Sequence, residues 1–171
     1  MHFETKHHQH TAHCESGVLS TLLQYHQIDL NEAMVFGLAS ALSFVYFPFV
    51  KISGMPLVSY RGLPRSILKN TCKQLGIKLV IKKFHDPFMG QQALNQAISQ
   101  NHLVGIQTSV FWLPYFPPEM RFHFNAHNLL VYGKNDNNYL ISDPVFEHPQ
   151  QCAAEDLQKA RFAKGTLAPK G

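Results

Sequence analysis

The chain has few cysteines. Its 171 residues hold three, Cys14, Cys72 and Cys152, an odd number at wide spacings. That pattern excludes a disulfide framework. No two of them form the close pair of a structural zinc site. His2, His7, His8, His10 and His13 crowd the N-terminus, but a floppy histidine-rich tract binds metal adventitiously, without fixed geometry, so no metal role is expected. Long apolar runs are also missing. None reaches the ~20 residues needed to span a bilayer, and the first fourteen residues, MHFETKHHQHTAHC, contain no apolar signal-peptide core. A cytoplasmic protein is the expectation. There is no internal repeat, linker or low-complexity tract.

Acidic residues are missing from one long interval. None occurs between Glu32 and Asp86, while the same stretch carries Lys51, Arg61, Arg65, Lys69, Lys73, Lys78, Lys82 and Lys83. Arg65, Lys69 and Lys73 recur every four residues and so share one face of a helix. A solvated helix face looks the same, but the lack of balancing acids favours a docking surface for an acidic partner. Nucleic acid is not the expected partner. No reading module is present, and eleven acidic residues hold the net charge to +4.

What is present suits one domain, residues 1–171, with apolar content of 45% and aromatic content of 12% to build a core. Apolar residues at 18, 19, 22, 23 and 25 predict a helix from Cys14 to His26. Asp29 or Asn31 stands where a second helix, residues 31–44, needs its cap. A strand pair follows at 47–52 and 56–62, broken by Gly54 and Pro56. Pro64 opens the basic helix and Gly76 closes it. Then come a strand at 77–84, a helix after Asp86-Pro87, and a strand at 104–110. Residues 111–126, with three prolines and six aromatics, read as a long apolar loop. A hairpin and a last helix near 153–163 complete an α+β pattern, with helices packed on an antiparallel sheet.

Within this frame three side chains carry chemistry. Cys14 lies at the mouth of the first helix, where free N–H groups and the positive end of the dipole favour a thiolate. His127 and Asp143 lie on the two strands of the hairpin, whose turn is Lys134-Asn135-Asp136-Asn137-Asn138. If the chain reverses near Asn135 and Asp136, position 127 falls opposite a residue close to 143. Opposed side chains are then ~5 Å apart, and a slip of one residue would turn one of them away. A thiol needs a base to take its proton, and that base needs a third group to fix its tautomer. A cysteine near the start with the histidine and carboxylate more than a hundred residues downstream is the chain order of papain-like folds. Cys72 and Cys152 are expected to be structural.

The blocks His13-Cys14-Glu15-Ser16-Gly17, Leu30-Asn31-Glu32-Ala33-Met34-Val35-Phe36-Gly37-Leu38 and Phe44-Val45-Tyr46, with His127 before LLVYG and with Ser142-Asp143-Pro144, resemble the butirosin biosynthesis protein H N-terminal domain family. They also resemble the double-glycine leader peptidases of bacteriocin exporters. The resemblance spans nearly the whole chain. It implies a papain-like cysteine fold and an acyltransferase of secondary-metabolite or lipid-like biosynthesis. Such an enzyme moves an acyl group from a carrier-protein thioester to an amine or hydroxyl. Cys14 would be nucleophile, His127 base and Asp143 its orienter. No cofactor of the enzyme's own is implied, since phosphopantetheine arrives on the acyl carrier protein. Arg65, Lys69 and Lys73 would dock that carrier, and the aromatics of 111–126 with Phe47-Pro48-Phe49 would line an acyl pocket. Papain-like enzymes place an oxyanion-binding glutamine six residues before the cysteine. Here His8 holds that position and Gln9 lies one residue nearer, which makes Gln9 the candidate donor. The butirosin-type proteins continue into a second domain, so this chain is expected to be either a naturally short version or an excised domain that lacks its C-terminal partner. A cysteine peptidase or thioester hydrolase with the same triad is the alternative, and a non-catalytic carrier-docking domain a further one.

Overall fold

The computed structural model describes residues 4–52, 54–165, 167–169 and 171. Helix α1, Cys14–Tyr25, starts where expected because His13 caps it: the His13 ring accepts from the Ser16 N–H. Helix α2, Glu32–Leu38, is capped by Asn31, whose side chain accepts from Met34. It is shorter than the expected 31–44, because Ser40 adopts a left-handed backbone at φ 50° and turns the chain out of the helix. Strands β1, Val45–Ile52, and β2, Met55–Ser59, form a separate antiparallel ribbon. Helix α3, Ser66–Gln74, is the basic helix. The strand expected at 77–84 is not formed; these residues join no ladder of either sheet. Their side chains alternate only loosely between half-buried and exposed, so no face commits them to a ladder.

Helix α4, Pro87–Ser99, takes Asp86 as its cap and Pro87 in its first turn. The main sheet follows, in the order β3-β4-β5-β6. It contains β3, Val104–Thr108, β4, His127–Asn135, β5, Asn138–Ser142, and β6, Gln150–Ala153, all antiparallel. The last strand has no counterpart in the sequence reading, being four residues with one buried side chain, Cys152. Helix α5, Ala154–Arg161, ends the fold.

The sheet separates two apolar clusters. On one face Leu129, Val131, Tyr139 and Ile141 meet Leu94 of α4, Leu157 of α5, and Leu113 and Phe116 of the aromatic segment. Leu19 and Leu23 of α1, Val35 of α2 and Ile67 and Cys72 of α3 form a helical cluster. The period of two along β4 explains the division. Leu129 and Val131 face the first cluster, whereas Leu130, paired with Gly105, faces α1, where Val18 and Leu22 lie nearby.

Helix α1 lies unusually close to the chain at its N-terminal end. A Cβ on Gly17 would stand 2.0 Å from Thr11 Oγ1 and 3.0 Å from Pro144 Cβ. Only glycine allows the cysteine-bearing turn to sit against Asp143-Pro144. The Thr11 N–H donates to the Pro144 carbonyl at 2.7 Å and ties the two segments together.

Candidate active site

Two carboxylates fix the turn that holds Cys14. Glu32 of α2 accepts from the N–H groups of Ala12 and His13, at 3.0 and 2.7 Å, and from the Ser16 hydroxyl at 3.0 Å. Glu15, nearly buried, reaches out of α1 and accepts from the N–H groups of Arg65 and Leu68, both at 2.9 Å. It therefore caps α3, whose own N-cap residue, Arg65, supplies no side-chain bond. Glu15 and Ser16 of the HCESG block position the nucleophile's helix, a role not read from the sequence.

The strand geometry brings His127 to Asp143. The β4–β5 ladder pairs Asn135 with Asn138 at the turn and Leu130 with Ser142 near the site, with an irregularity between Val131 and Gly133. The bulge shifts the register by one. Carried one step beyond β5, the ladder sets Asp143 opposite Leu129, on the face His127 shares, two residues along. The pair meets on a diagonal rather than directly across. The His127 Nε2–Asp143 Oδ2 distance is 2.7 Å, with both side chains buried. Asp143 Oδ2 also accepts from the Tyr115 hydroxyl at 2.8 Å, and Oδ1 from the Val145 N–H at 3.2 Å. Phe116 meets the imidazole edge-on at 5.4 Å between centroids.

With Nε2 engaged by Asp143, Nδ1 is the nitrogen left to face the sulfur. The electrostatics match. Burial works to raise the Cys14 thiol, but the hydrogen bond and charge of His127, with bonds from the Asn128 backbone and side chain, bring it below its ordinary value of 9.0. Burial pushes His127 down, yet the Asp143 carboxylate and the sulfur hold it up at about 9. His13, beside the thiol, is driven down to about 4 by burial and by Arg61, so it stays neutral and keeps its capping bond. Burial and the Asp143 charge push the Tyr115 hydroxyl well up, leaving it a donor.

Asn128 and Tyr115 were not singled out in the sequence. The Asn128 amide points at the sulfur, Nδ2 to Sγ 3.8 Å, while bonding the Ala126 carbonyl at 3.1 Å. An amide directly after the candidate base was the available signal. Gln9 lies elsewhere. Its amide bonds the side chain of Gln24, ten residues beyond Cys14 and so ~15 Å along α1. His8 bonds Ser142 at 2.8 Å and the Phe146 carbonyl at 3.0 Å. Neither is brought to the sulfur. Arg65 leaves the expected stripe as well. It is half-buried, at φ 72°, and its guanidinium donates to the Gln107 side-chain Oε1 at 2.7 and 2.9 Å. Lys69 and Lys73 remain exposed on α3. The expected acyl pocket is not built from 111–126 or 47–49. Leu113 and Phe116 belong to the core and Phe49 is 95% exposed. An apolar-walled cleft of about 490 Å³ lies instead along β3 between α1, α4 and residues 79–84. Cys14 itself opens on a niche of about 20 Å³ against Arg61, Gly62, Pro64 and Ser66. Among the described residues no group of three or more histidine, cysteine or acidic side chains is placed to hold a metal ion, and no helix is long and apolar enough to cross a membrane.

A cysteine at a helix N-terminus, facing a histidine and an aspartate on an antiparallel sheet, defines the papain-like class of folds. In agreement, the chain superposes on the crystal structure of a protein described as a C39-like peptidase from Bacillus anthracis. The TM-score is 0.62 at 16% identity, covering 86% of this chain and 82% of that one. The sequence model of the family "Butirosin biosynthesis protein H, N-terminal" matches residues 13–144, and the chain belongs to that family. No curated protein sequence matches it.

Proposed function

We propose that this protein is a cysteine acyltransferase that takes an acyl group from a carrier-protein thioester, through an acyl-Cys14 intermediate, to an amine or hydroxyl. The observation that carries the reading is the buried relay from Cys14 through His127 to Asp143, with the thiol lowered and the imidazole raised. A thiolate beside an imidazolium is a nucleophile already paired with its acid. The Cys14 thiolate attacks the thioester carbonyl. As the tetrahedral adduct collapses, the phosphopantetheine thiolate leaves and takes the His127 proton. Neutral His127 then removes a proton from the acceptor, which attacks acyl-Cys14 and expels the thiolate. The Asn128 amide, 3.8 Å from the sulfur, and the first-turn N–H groups of α1 are the donors near where the oxyanion forms. Tyr115 holds Asp143, and Asp143 holds the ring.

The carrier partner is supported by the family and by the acid-free basic interval, of which Lys69 and Lys73 are exposed. Intact-mass analysis after mixing with an acyl carrier thioester tests the mechanism. An acyl adduct is expected on the wild type and none on Cys14→Ala; consumption of the carrier thioester without an adduct, or an undiminished adduct on the variant, overturns it. The likeness to a protein described as a C39-like peptidase supports a second reading, a cysteine peptidase or thioester hydrolase, in which the amine or thiol leaves on acylation of Cys14 and water then takes the acyl group from the same acyl-enzyme. Product analysis with candidate acceptors separates the two, since hydrolysis alone favours the second.

A further inference from the structure

The cleft along β3 contains a buried cation that the reaction above does not use. Arg161, the last residue of α5, is 3% exposed and lines the cleft along β3. Its Nη2 donates to the Gly90 carbonyl at 3.1 Å, and its guanidinium lies 5.5 Å from the Phe162 ring centroid. Its Nε and Nη1 are buried and have no hydrogen-bond partner among the described residues, nor does any described carboxylate pair with it. A guanidinium cannot shed its charge at ordinary pH, and an uncompensated buried cation is costly. The rest of the wall is largely aliphatic, with Val18, Leu22, Leu79, Ala93, Ala97 and Ile106 prominent. A cleft of about 490 Å³ with an apolar wall and a few fixed polar groups has the size and character of a small-molecule site.

We infer that this cleft binds an aliphatic carboxylate, with its anion on Arg161 and its chain against the α1, α4 and β3 side chains. Charge complementarity selects the carboxylate and the apolar wall selects the chain. Glu15, the one acidic side chain among the described residues that line the cleft, is turned to the α3 N–H groups and does not neutralise Arg161. Glu15 and Asn128 also border the Cys14 niche. The ligand is therefore either a free fatty acid or the acid-bearing end of an acyl substrate, two sources of one chemistry.

Binding is measured calorimetrically on the whole protein with dodecanoate and 1-dodecanol, both below their aggregation concentrations. One dodecanoate per chain is expected, with the alcohol ~10-fold or more weaker, as loss of a charge-assisted bond at a buried site predicts. Arg161→Gln is expected to bring the acid down to the alcohol. Should that variant not fold, Gly105→Leu serves instead. A Cβ at 105 makes only ordinary contacts, 3.5 Å to Val18 and 3.6 Å to Leu22, the bulk beyond it is directed at the cleft wall, and the unfolding midpoint reports whether the strand holds. Equal affinity for acid and alcohol, or undiminished binding by Gly105→Leu with a wild-type unfolding midpoint, overturns the inference. The source is then assigned by turnover. A preference for the monothioester of dodecanedioic acid over the dodecanoyl thioester, lost in Arg161→Gln, assigns the substrate's far end. Saturable binding with no such preference assigns a free acid. Both uphold the site. Because the binding arm involves no step at Cys14, its failure leaves the triad reading standing, and an inactive Cys14 leaves the binding result standing.

Discussion

At the scale of single residues, the site is set by how His127 divides its two nitrogens. A buried carboxylate on one side and a thiol on the other turn a group of ordinary value 6.5 into one that holds its proton to about 9. Burial works to raise the thiol partner, yet chiefly the hydrogen bond and charge of that ring bring it below its ordinary 9.0. Alkylation by iodoacetamide at neutral pH should strike Cys14 well before Cys72 or Cys152, whose thiols burial pushes up, Cys152 to about 12. The apparent thiol value read from the rate profile should lie below 9.0 and rise in His127→Ala. Peptide mapping of the alkylated cysteines checks both. The same shift links folding to pH. The protonated ring's contact with Asp143 contributes fully below 6.5 and is lost as pH rises through about 9. Tm should therefore fall across that window, and fall less in Asp143→Asn. Asn128 is the other residue to test. Removing one oxyanion donor costs roughly 10²–10³ in kcat, so Asn128→Ala should lose about that much, whereas Gln9→Ala, with its amide committed to Gln24, should change little. A larger loss in the Gln9 variant would reverse the assignment of the donor.

At the scale of elements, what was legible in the sequence was what local rules govern. Cys14 at the start of α1, Asp86-Pro87 at the start of α4 and the asparagine-rich turn after β4 each follow from capping or turn chemistry, and each stands within a residue or two of its expected place. The meeting of His127 with Asp143 was legible only to within the register. Counting back from the Asn135–Asn138 pair without a bulge would set Asp143 opposite Leu130, on the wrong face; the irregularity after Val131 restores the shared face. No short-range rule marks that bulge. Residues 77–84 have strand-like composition but no partner, and β6 is too short for its pattern to show. The contributions of Glu15, Glu32, Asn128 and Tyr115 depend on contacts between distant segments, which spacing alone does not reveal. Gly17 shows how tightly those segments are fitted. Gly17→Ala would drive a methyl into Thr11 and Pro144, an overpacking that costs ~1–3 kcal/mol. Urea denaturation should show a loss of that order, and the variant's activity should fall further than its folded fraction, because the displaced turn is the one that carries the nucleophile.

At the scale of the molecule, charge is unevenly spread. All eleven acids lie outside the interval from 33 to 85, which forms most of α2, then β1, β2, α3 and the 77–84 segment. The β1–β2 ribbon packs mainly on itself and leaves Tyr46, Phe47, Phe49, Met55 and Tyr60 half or more exposed. The proposed carrier would meet these exposed apolar side chains, and the exposed Lys69 and Lys73 on α3 belong to the same interval. An acidic carrier protein steered by these lysines gains mainly in encounter rate, an effect that salt screens over ~8–10 Å at physiological ionic strength. The double variant Lys69→Glu, Lys73→Glu should therefore raise KM for a carrier-bound acyl donor at low salt while leaving kcat unchanged, and the difference from wild type should vanish as ionic strength rises. A small acyl thioester that lacks the carrier should be used equally well by both proteins at every salt concentration. A KM change that persists for the small thioester, or that is insensitive to salt, would place the effect in the α3 fold instead of at a docking surface, since neither Lys69 nor Lys73 approaches Cys14.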